Sequence, residues 1–336
     1  MLGWDRPGPG IRRSGLDWVP EYPCPELAGK PEFPATALTR VPPLVGEGMA
    51  GPLFRILCLG GFLAGLLLVA GCLRIPLNDA TVFQPKDSVY PAIFAEPGAD
   101  LEEVFFAGGD GTRLNGWYLT QEGAEQTVLF MGGYMFYLVQ SRPYLDFFLR
   151  NDLNAFLWDY RGYGRSEGEP SVEDLLADAR AAYQWLREEQ GVAPAELIVH
   201  GHSLGSFPAA AVAAEEPVGG IVLESPLTSA EDWSKTILPW YLQPLLGFDI
   251  SEDIGRADNR ERASEWEAPV LLVVGEEDPI TPVKMAERLF AEIPDPDKRL
   301  LVVEERNHDD LPEDPAFDEG YAWLRGEMAE RAGRGD

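Results

Sequence analysis

The chain has 336 residues, is 45 % hydrophobic, and carries 27 Lys+Arg against 56 Asp+Glu, a net charge of −29 at pH 7. That length and apolar content allow one large domain with its own core plus an extra segment, while a surface so acidic repels phosphate backbones and excludes nucleic acid as a partner class. Its three cysteines, Cys24, Cys58 and Cys72, have neither metal-ligand nor disulfide-framework spacing, so no metal or redox cofactor is expected.

The charge is unevenly placed. Six basic and six acidic residues balance over positions 1–71, so the whole acidic excess belongs to the remainder. A solubility adaptation to a salty medium is the preferred explanation, and an acidic face for a cationic partner is the alternative.

Residues 1–48 hold nine prolines and seven glycines without apolar periodicity, which predicts a disordered leader, or one that is not translated if Met49 is the start. From Met49 the sequence reads MAGPLFRILCLGGFLAGLLLVAGC: one basic residue, Arg55, then an uncharged run of 17 residues to Cys72. That is the layout of a secretory signal over 49–72. Its end, Leu68-Val69-Ala70-Gly71-Cys72, resembles the bacterial lipoprotein processing box, and the resemblance implies lipidation of Cys72. An uncleaved membrane anchor is the alternative, since 17 apolar residues can just reach across a bilayer. Either way the body is expected at the membrane of a bacterial cell envelope, facing the periplasm or exterior, with 73–99 as a tether.

The folded body is expected over 100–330. Residues 101–106 and 113–120 read as a strand pair joined by Gly108-Gly109-Asp110-Gly111. Further short apolar runs follow at 127–131, 154–159, 197–200, 220–224, 269–274 and 299–303. They lack the polar alternation of half-exposed strands, as strands buried on both faces should. Helical patterns lie between them. Over 171–190, Leu175, Leu176, Ala179, Ala182, Tyr183 and Leu186 share one face, and Ser171 with Asp174 forms a capping pair. The alternation predicts an α/β fold with a mostly parallel eight-stranded sheet and helices on both faces. Functional residues in such sheets gather at the carboxyl ends of the strands.

One motif sits where that rule asks. Gly201-His202-Ser203-Leu204-Gly205 is G-x-S-x-G between a strand and a helical segment, the arrangement of a nucleophile held on a strained turn whose neighbours must lack side chains. The Leu204 N–H at the following helix start is then placed to receive an oxyanion. Serine needs a base, and only His200, His202 and His308 occur. The first two are too close to Ser203 in sequence to fold back onto its hydroxyl. His308, in the loop after the last strand, is the expected base.

The orienting carboxylate should lie between serine and histidine in chain order. Asp278, in Gly275-Glu276-Glu277-Asp278-Pro279, fits best; Glu224, ending the preceding strand, is the alternative, and Glu276 and Glu277 read as solvated. A second oxyanion donor should come from the loop after the third strand, Phe130-Met131-Gly132-Gly133-Tyr134-Met135, as the N–H of Gly133 or of Tyr134.

These residues resemble the α/β-hydrolase superfamily, and the element order from about 100 to 330 is similar to it throughout. The nearest likeness is the lidless-to-small-lid group that includes BEM46-like and serine-aminopeptidase-like (S33) hydrolases. The likeness rests on Asp159-Tyr160-Arg161-Gly162-Tyr163-Gly164-Arg165-Ser166-Glu167-Gly168, Gly201–Gly205, 275–282 and Asn307-His308-Asp309. Ser203, Asp278 and His308 fall on that family's catalytic positions. Met131 departs from it, since many members place histidine there. The resemblance implies hydrolysis of an acyl ester or amide in a small-molecule substrate without metal or organic cofactor, and a cap between the sixth and seventh strands.

That cap falls at about 225–266 and carries Trp233, Trp240, Tyr241, Leu245, Leu246 and Phe248, either as a lid over an acyl pocket or simply packed on the sheet. Its small size favours ester or thioester over peptide substrates. The same triad also serves serine peptidases, amidases, acyltransferases and perhydrolases. A non-catalytic binding protein on this fold is the remaining alternative.

Overall fold

A computed structural model describes residues 73–85, 99–237, 241–243 and 246–334. The leader at 1–48 and the signal segment at 49–72, with Cys72, lie outside them. Among the described residues no helix is long and apolar enough to cross a membrane.

All eight predicted strands form and join one sheet. In chain order they are β2 (Ala99–Ala107), β3 (Arg113–Gln121), β4 (Thr127–Met131), β5 (Asn154–Trp158), β6 (Leu197–His202), β7 (Gly220–Glu224), β9 (Val270–Gly275) and β10 (Lys298–Val303); β1 (Leu73–Leu77) and β8 (Leu246–Ile250) form a separate pair. Across the sheet the order is β10-β9-β7-β6-β4-β5-β3-β2. Only the pairings of β3, with β2 and with β5, are antiparallel. The rest run parallel.

The unbroken apolar runs have a direct cause, because both faces of the sheet are covered and successive side chains point to opposite faces. Along β4, Leu129 and Met131 enter one core cluster while Val128 and Phe130 enter the other. The helices Arg142–Arg150 and Pro315–Arg334 cover one face with Phe147, Phe148, Phe317 and Tyr321. Val172–Glu188, Ser206–Glu215 and Val283–Glu292 cover the other with residues such as Ala179, Tyr183, Ala209 and Leu289. Ser171 is the N-cap of Val172–Glu188, its hydroxyl accepting from Asp174 N at 3.0 Å, as the sequence pair predicts.

The stretch expected to be a tether is partly folded. β1 (Leu73–Leu77) pairs in parallel with β8 (Leu246–Ile250) of the cap. Asp79 then accepts from Val172 N at 3.1 Å, Phe83 is buried, and Gln84 N donates to Tyr163 OH at 3.0 Å. Residues 73–85 therefore pack onto the body, because a strand with an apolar partner edge and a buried aromatic has more to gain from docking than from solvation.

The cap contains the helix Ala230–Ile237, β8 and two short helical turns, Glu252–Gly255 and Asn259–Ala263. Trp233 and Phe248 pack against the main core and Tyr241 is exposed. Trp240 and Leu245 lie outside the described residues.

Candidate active site

Ser203, Asp278 and His308 follow β6, β9 and β10 directly, so all three sit at the carboxyl edge of the sheet. The Ser203 backbone has φ +52°, a left-handed conformation that costs a non-glycine residue on the order of 1 kcal/mol or more. It opens a short 3₁₀ turn, Ser203–Gly205, that feeds the helix Ser206–Glu215.

The flanking glycines serve space rather than backbone freedom. Gly205 has φ −62°, an ordinary helical value. A Cβ there would stand 2.0 Å from Met131 O and 2.6 Å from Gly132 O. On Gly201 it would stand 2.3 Å from Gly205 O. The strain falls on the serine itself, while Gly201 lets the turn fold back on Gly205 and Gly205 lets it close against the end of β4.

The three side chains form a continuous chain of hydrogen bonds. His308 Nδ1 lies 2.7 Å from Asp278 Oδ2, and His308 Nε2 lies 2.9 Å from Ser203 Oγ. The Asp278 carboxylate also accepts from Ile280 N and Thr281 N, each at 2.8 Å, and from Thr281 Oγ1 at 2.7 Å. Burial disfavours its charge, but the bonds from His308 and Thr281 outweigh that and hold its pKa down at about 2. For His308, burial disfavours the imidazolium; the hydrogen bond and charge of Asp278, with Asp309 and Glu224 adding, overcome it and raise the pKa. An ionised Asp278 fixes the Nδ1–H tautomer, which leaves Nε2 free to accept the serine proton.

Both oxyanion candidates, Gly133 and Leu204, lie beside the serine. A Cβ on Gly133 would stand 3.2 Å from Ser203 Cβ and 2.9 Å from His202 Nδ1, so that loop lies directly against the serine. Leu204 N belongs to the turn that Ser203 opens. Tyr134, the other candidate, is an exposed side chain one residue on.

The two remaining histidines and Glu224 take up other positions. His202 Nε2 lies 3.1 Å from the His308 carbonyl oxygen; since a carbonyl only accepts, His202 donates there. His202 thus acts on the backbone of His308 and makes no bond to the serine hydroxyl. Glu224 meets His200, not His308: Oε2 is 3.0 Å from His200 Nε2, and Tyr144 OH donates to Oε1 at 3.2 Å. Tyr321 OH lies 2.7 Å from His200 Nδ1. All four are buried. Burial pushes Glu224 up to about 7 and His200 down to about 3.

This network escaped the sequence reading. Its one signal was polar residues, His200 and Glu224, inside strands that are otherwise apolar. His202, His308 and Asp309 have side-chain ligand atoms within 4.8 Å of one another, a spacing a metal ion could use. As arranged, however, His202 Nε2 bonds the His308 carbonyl and the two His308 nitrogens face Asp278 and Ser203.

Arg161, in the loop after β5, is buried among three carboxylates. Its guanidinium donates to Asp178 at 2.7 and 2.8 Å and to Asp110 at 3.0 and 2.7 Å, and pairs with Asp174 at 2.9 Å. The cluster ties the β2–β3 turn to the helix Val172–Glu188.

Sheet order, strand directions and layered helices define an α/β-hydrolase fold. Solved structures agree on the fold. An esterase of Pyrococcus furiosus superposes with TM-score 0.59 at 19 % identity, covering 73 % of this chain and 99 % of its own. An acetyl xylan esterase from Paenibacillus sp. R4 gives TM-score 0.56 at 16 % identity over 79 % of this chain and 99 % of its own.

In sequence, residues 122–248 and 255–315 match the family described as serine aminopeptidase, S33, and the chain belongs to that family. An uncharacterised protein of Mycobacterium tuberculosis (strain H37Rv) is 38 % identical over 204 residues, 60 % of this chain and 70 % of that protein. The uncharacterised protein YfhR of Escherichia coli (strain K12) is 27 % identical over 257 residues, 73 % of this chain and 86 % of that protein.

Proposed function

We propose that the protein is a serine hydrolase that cleaves carboxylic esters or thioesters through an acyl-enzyme, with Ser203 as nucleophile, His308 as base and Asp278 as its orienting carboxylate. One observation carries the proposal: the unbroken sequence Asp278 Oδ2, His308 Nδ1, His308 Nε2, Ser203 Oγ, with contacts of 2.7 and 2.9 Å.

In this reading Ser203 Oγ attacks the acyl carbon while its proton passes to His308 Nε2. The N–H groups of Leu204 and Gly133 receive the developing oxyanion. Collapse breaks the bond to the leaving alcohol or thiol, which takes the proton back from His308. Water, deprotonated by His308, then attacks the acyl carbon. A second collapse releases the acid and restores the serine hydroxyl.

The family description favours a second reading, a peptidase or amidase on the same residues. The short cap and the esterases among the structural neighbours support the ester reading. Steady-state hydrolysis of p-nitrophenyl esters of graded acyl length, beside the matching p-nitroanilides, separates the two. Ester turnover well above anilide turnover, lost in Ser203→Ala, is expected. Preference for anilides overturns the ester assignment, and full activity in Ser203→Ala overturns the triad.

We further propose that the body is held at the cell envelope through residues 49–72, with Cys72 lipidated. The support is the sequence pattern alone.

A further inference from the structure

We infer that Tyr160 is a positioning residue for the oxyanion site: its hydroxyl fixes the peptide that presents the Gly133 N–H. The inference rests on the serine-hydrolase reading and deepens it. Tyr160 follows β5, and Gly132 follows β4. These strands are parallel neighbours, with Phe130 beside Leu157 in register, so their loops leave the sheet side by side.

Tyr160 OH donates to Gly132 O at 2.6 Å, and the bond is buried. Gly205 closes the other approach to that carbonyl, since a Cβ there would stand 2.6 Å from the same oxygen. The Gly132 carbonyl is therefore turned inward and held. No cis peptide occurs among the described residues, and across a trans peptide the C=O and N–H point in opposite directions. Holding Gly132 O inward fixes the Gly133 N–H in the opposite direction, at a residue beside the serine, where a Cβ on Gly133 would stand 3.2 Å from Ser203 Cβ.

The ring of Tyr160 has separate support, edge-on to Trp158 at 4.8 Å between centroids and to Tyr163 at 6.3 Å. Burial holds the phenol pKa well above its ordinary value, so the hydroxyl stays a donor throughout the working pH range. Removing the hydroxyl alone thus releases the peptide without removing the packing.

The test compares full-chain wild type, Tyr160→Phe, and Tyr163→Phe as control, whose hydroxyl accepts from Gln84 N instead. Loss of a whole oxyanion donor costs on the order of 100- to 1000-fold in rate, so loosening one should cost about tenfold. The expected result for Tyr160→Phe is kcat on p-nitrophenyl acetate down about tenfold with KM little changed, and fluorophosphonate labelling of Ser203 slowed by a similar factor. Tyr163→Phe should keep wild-type kcat. A merely structural bond would leave kcat alone or raise KM, and either result overturns the inference.

If Tyr160→Phe does not fold, the wild type decides by NMR. The Gly133 amide resonance should shift when Ser203 is phosphonylated, and an unmoved amide overturns the inference. The two levels separate cleanly. A wild type that neither hydrolyses esters nor labels at Ser203 removes the parent reading and this one with it, whereas a labelled Ser203 with full-speed Tyr160→Phe removes this one alone.

Discussion

Asp278→Asn changes one atom in a fully bonded carboxylate, and its effect follows from the bonds it must keep. In the native protein Oδ1 accepts from Ile280 N and Thr281 N, each at 2.8 Å, while Oδ2 faces His308 Nδ1 and Thr281 Oγ1, both at 2.7 Å. An asparagine retains the two backbone bonds only by keeping its carbonyl oxygen at Oδ1, which puts its NH₂ where Oδ2 was. An NH₂ there donates, and the Thr281 hydroxyl can rotate to accept. His308 Nδ1 must then accept too, which moves the ring proton to Nε2 and points it at Ser203 Oγ. The base cannot take a proton at a nitrogen that already holds one.

Enforcing the wrong tautomer in a Ser-His-Asp arrangement lowers kcat by about 10,000-fold, equivalent to about 5.5 kcal/mol at about 1.36 kcal/mol per decade. The assay is kcat on a p-nitrophenyl ester, with near-UV circular dichroism to establish an unchanged fold. A loss of less than about tenfold in a folded Asp278→Asn protein would refute the reasoning and return Glu224 to consideration.

Gly205→Ala should be inactive or unfolded, because its Cβ would stand 2.0 Å from the backbone oxygen of Met131 and neither side can yield cheaply; soluble protein with wild-type kcat would contradict this. The acid limb of kcat/KM should report His308, which must be neutral to act and whose pKa is raised above its ordinary 6.5. Activity is therefore lost as pH falls through that raised value. Asp309→Asn, by removing a nearby anion, should move the limb to lower pH, with the difference shrinking in 1 M salt. Arg161→Met should destabilise the fold by about 3 to 5 kcal/mol in urea denaturation, since it leaves the buried Asp178 carboxylate without its cation. Full-chain protein expressed in a bacterium should partition with membranes, and Cys72→Ala should release it if lipidation is the anchor; palmitate labelling gives the direct check.

What the sequence displayed, and what it hid, divides along physical lines. The central strands β4, β5, β6, β7 and β9 announced themselves because strands covered on both faces are apolar along most of their length, and the Ser171 cap was visible because its bond to Asp174 N spans three residues. The grouping of Ser203, Asp278 and His308 was legible through chemistry and scarcity: with only three histidines, exclusion of the two beside Ser203 left one.

Long-range pairings were not legible. The bond between β1 and β8 joins residues some 170 positions apart through a short, half-buried strand with no alternation. Arg161 gathers Asp110, Asp174 and Asp178 from separate elements, and in a chain with 56 acidic residues no pattern singles those out. The role of the two glycines was half visible. Their small size is needed, but for close approach, of Gly201 to Gly205 and Ala209 and of Gly205 to the end of β4, with the strained φ carried by Ser203 itself.

The most direct measurement of the central claim is mass-spectrometric mapping of a fluorophosphonate adduct on the folded protein. A single adduct on the peptide containing Ser203, absent in Ser203→Ala and formed far more slowly in His308→Ala, is the result predicted. A folded protein that takes no adduct, or one still labelled in Ser203→Ala, would contradict it.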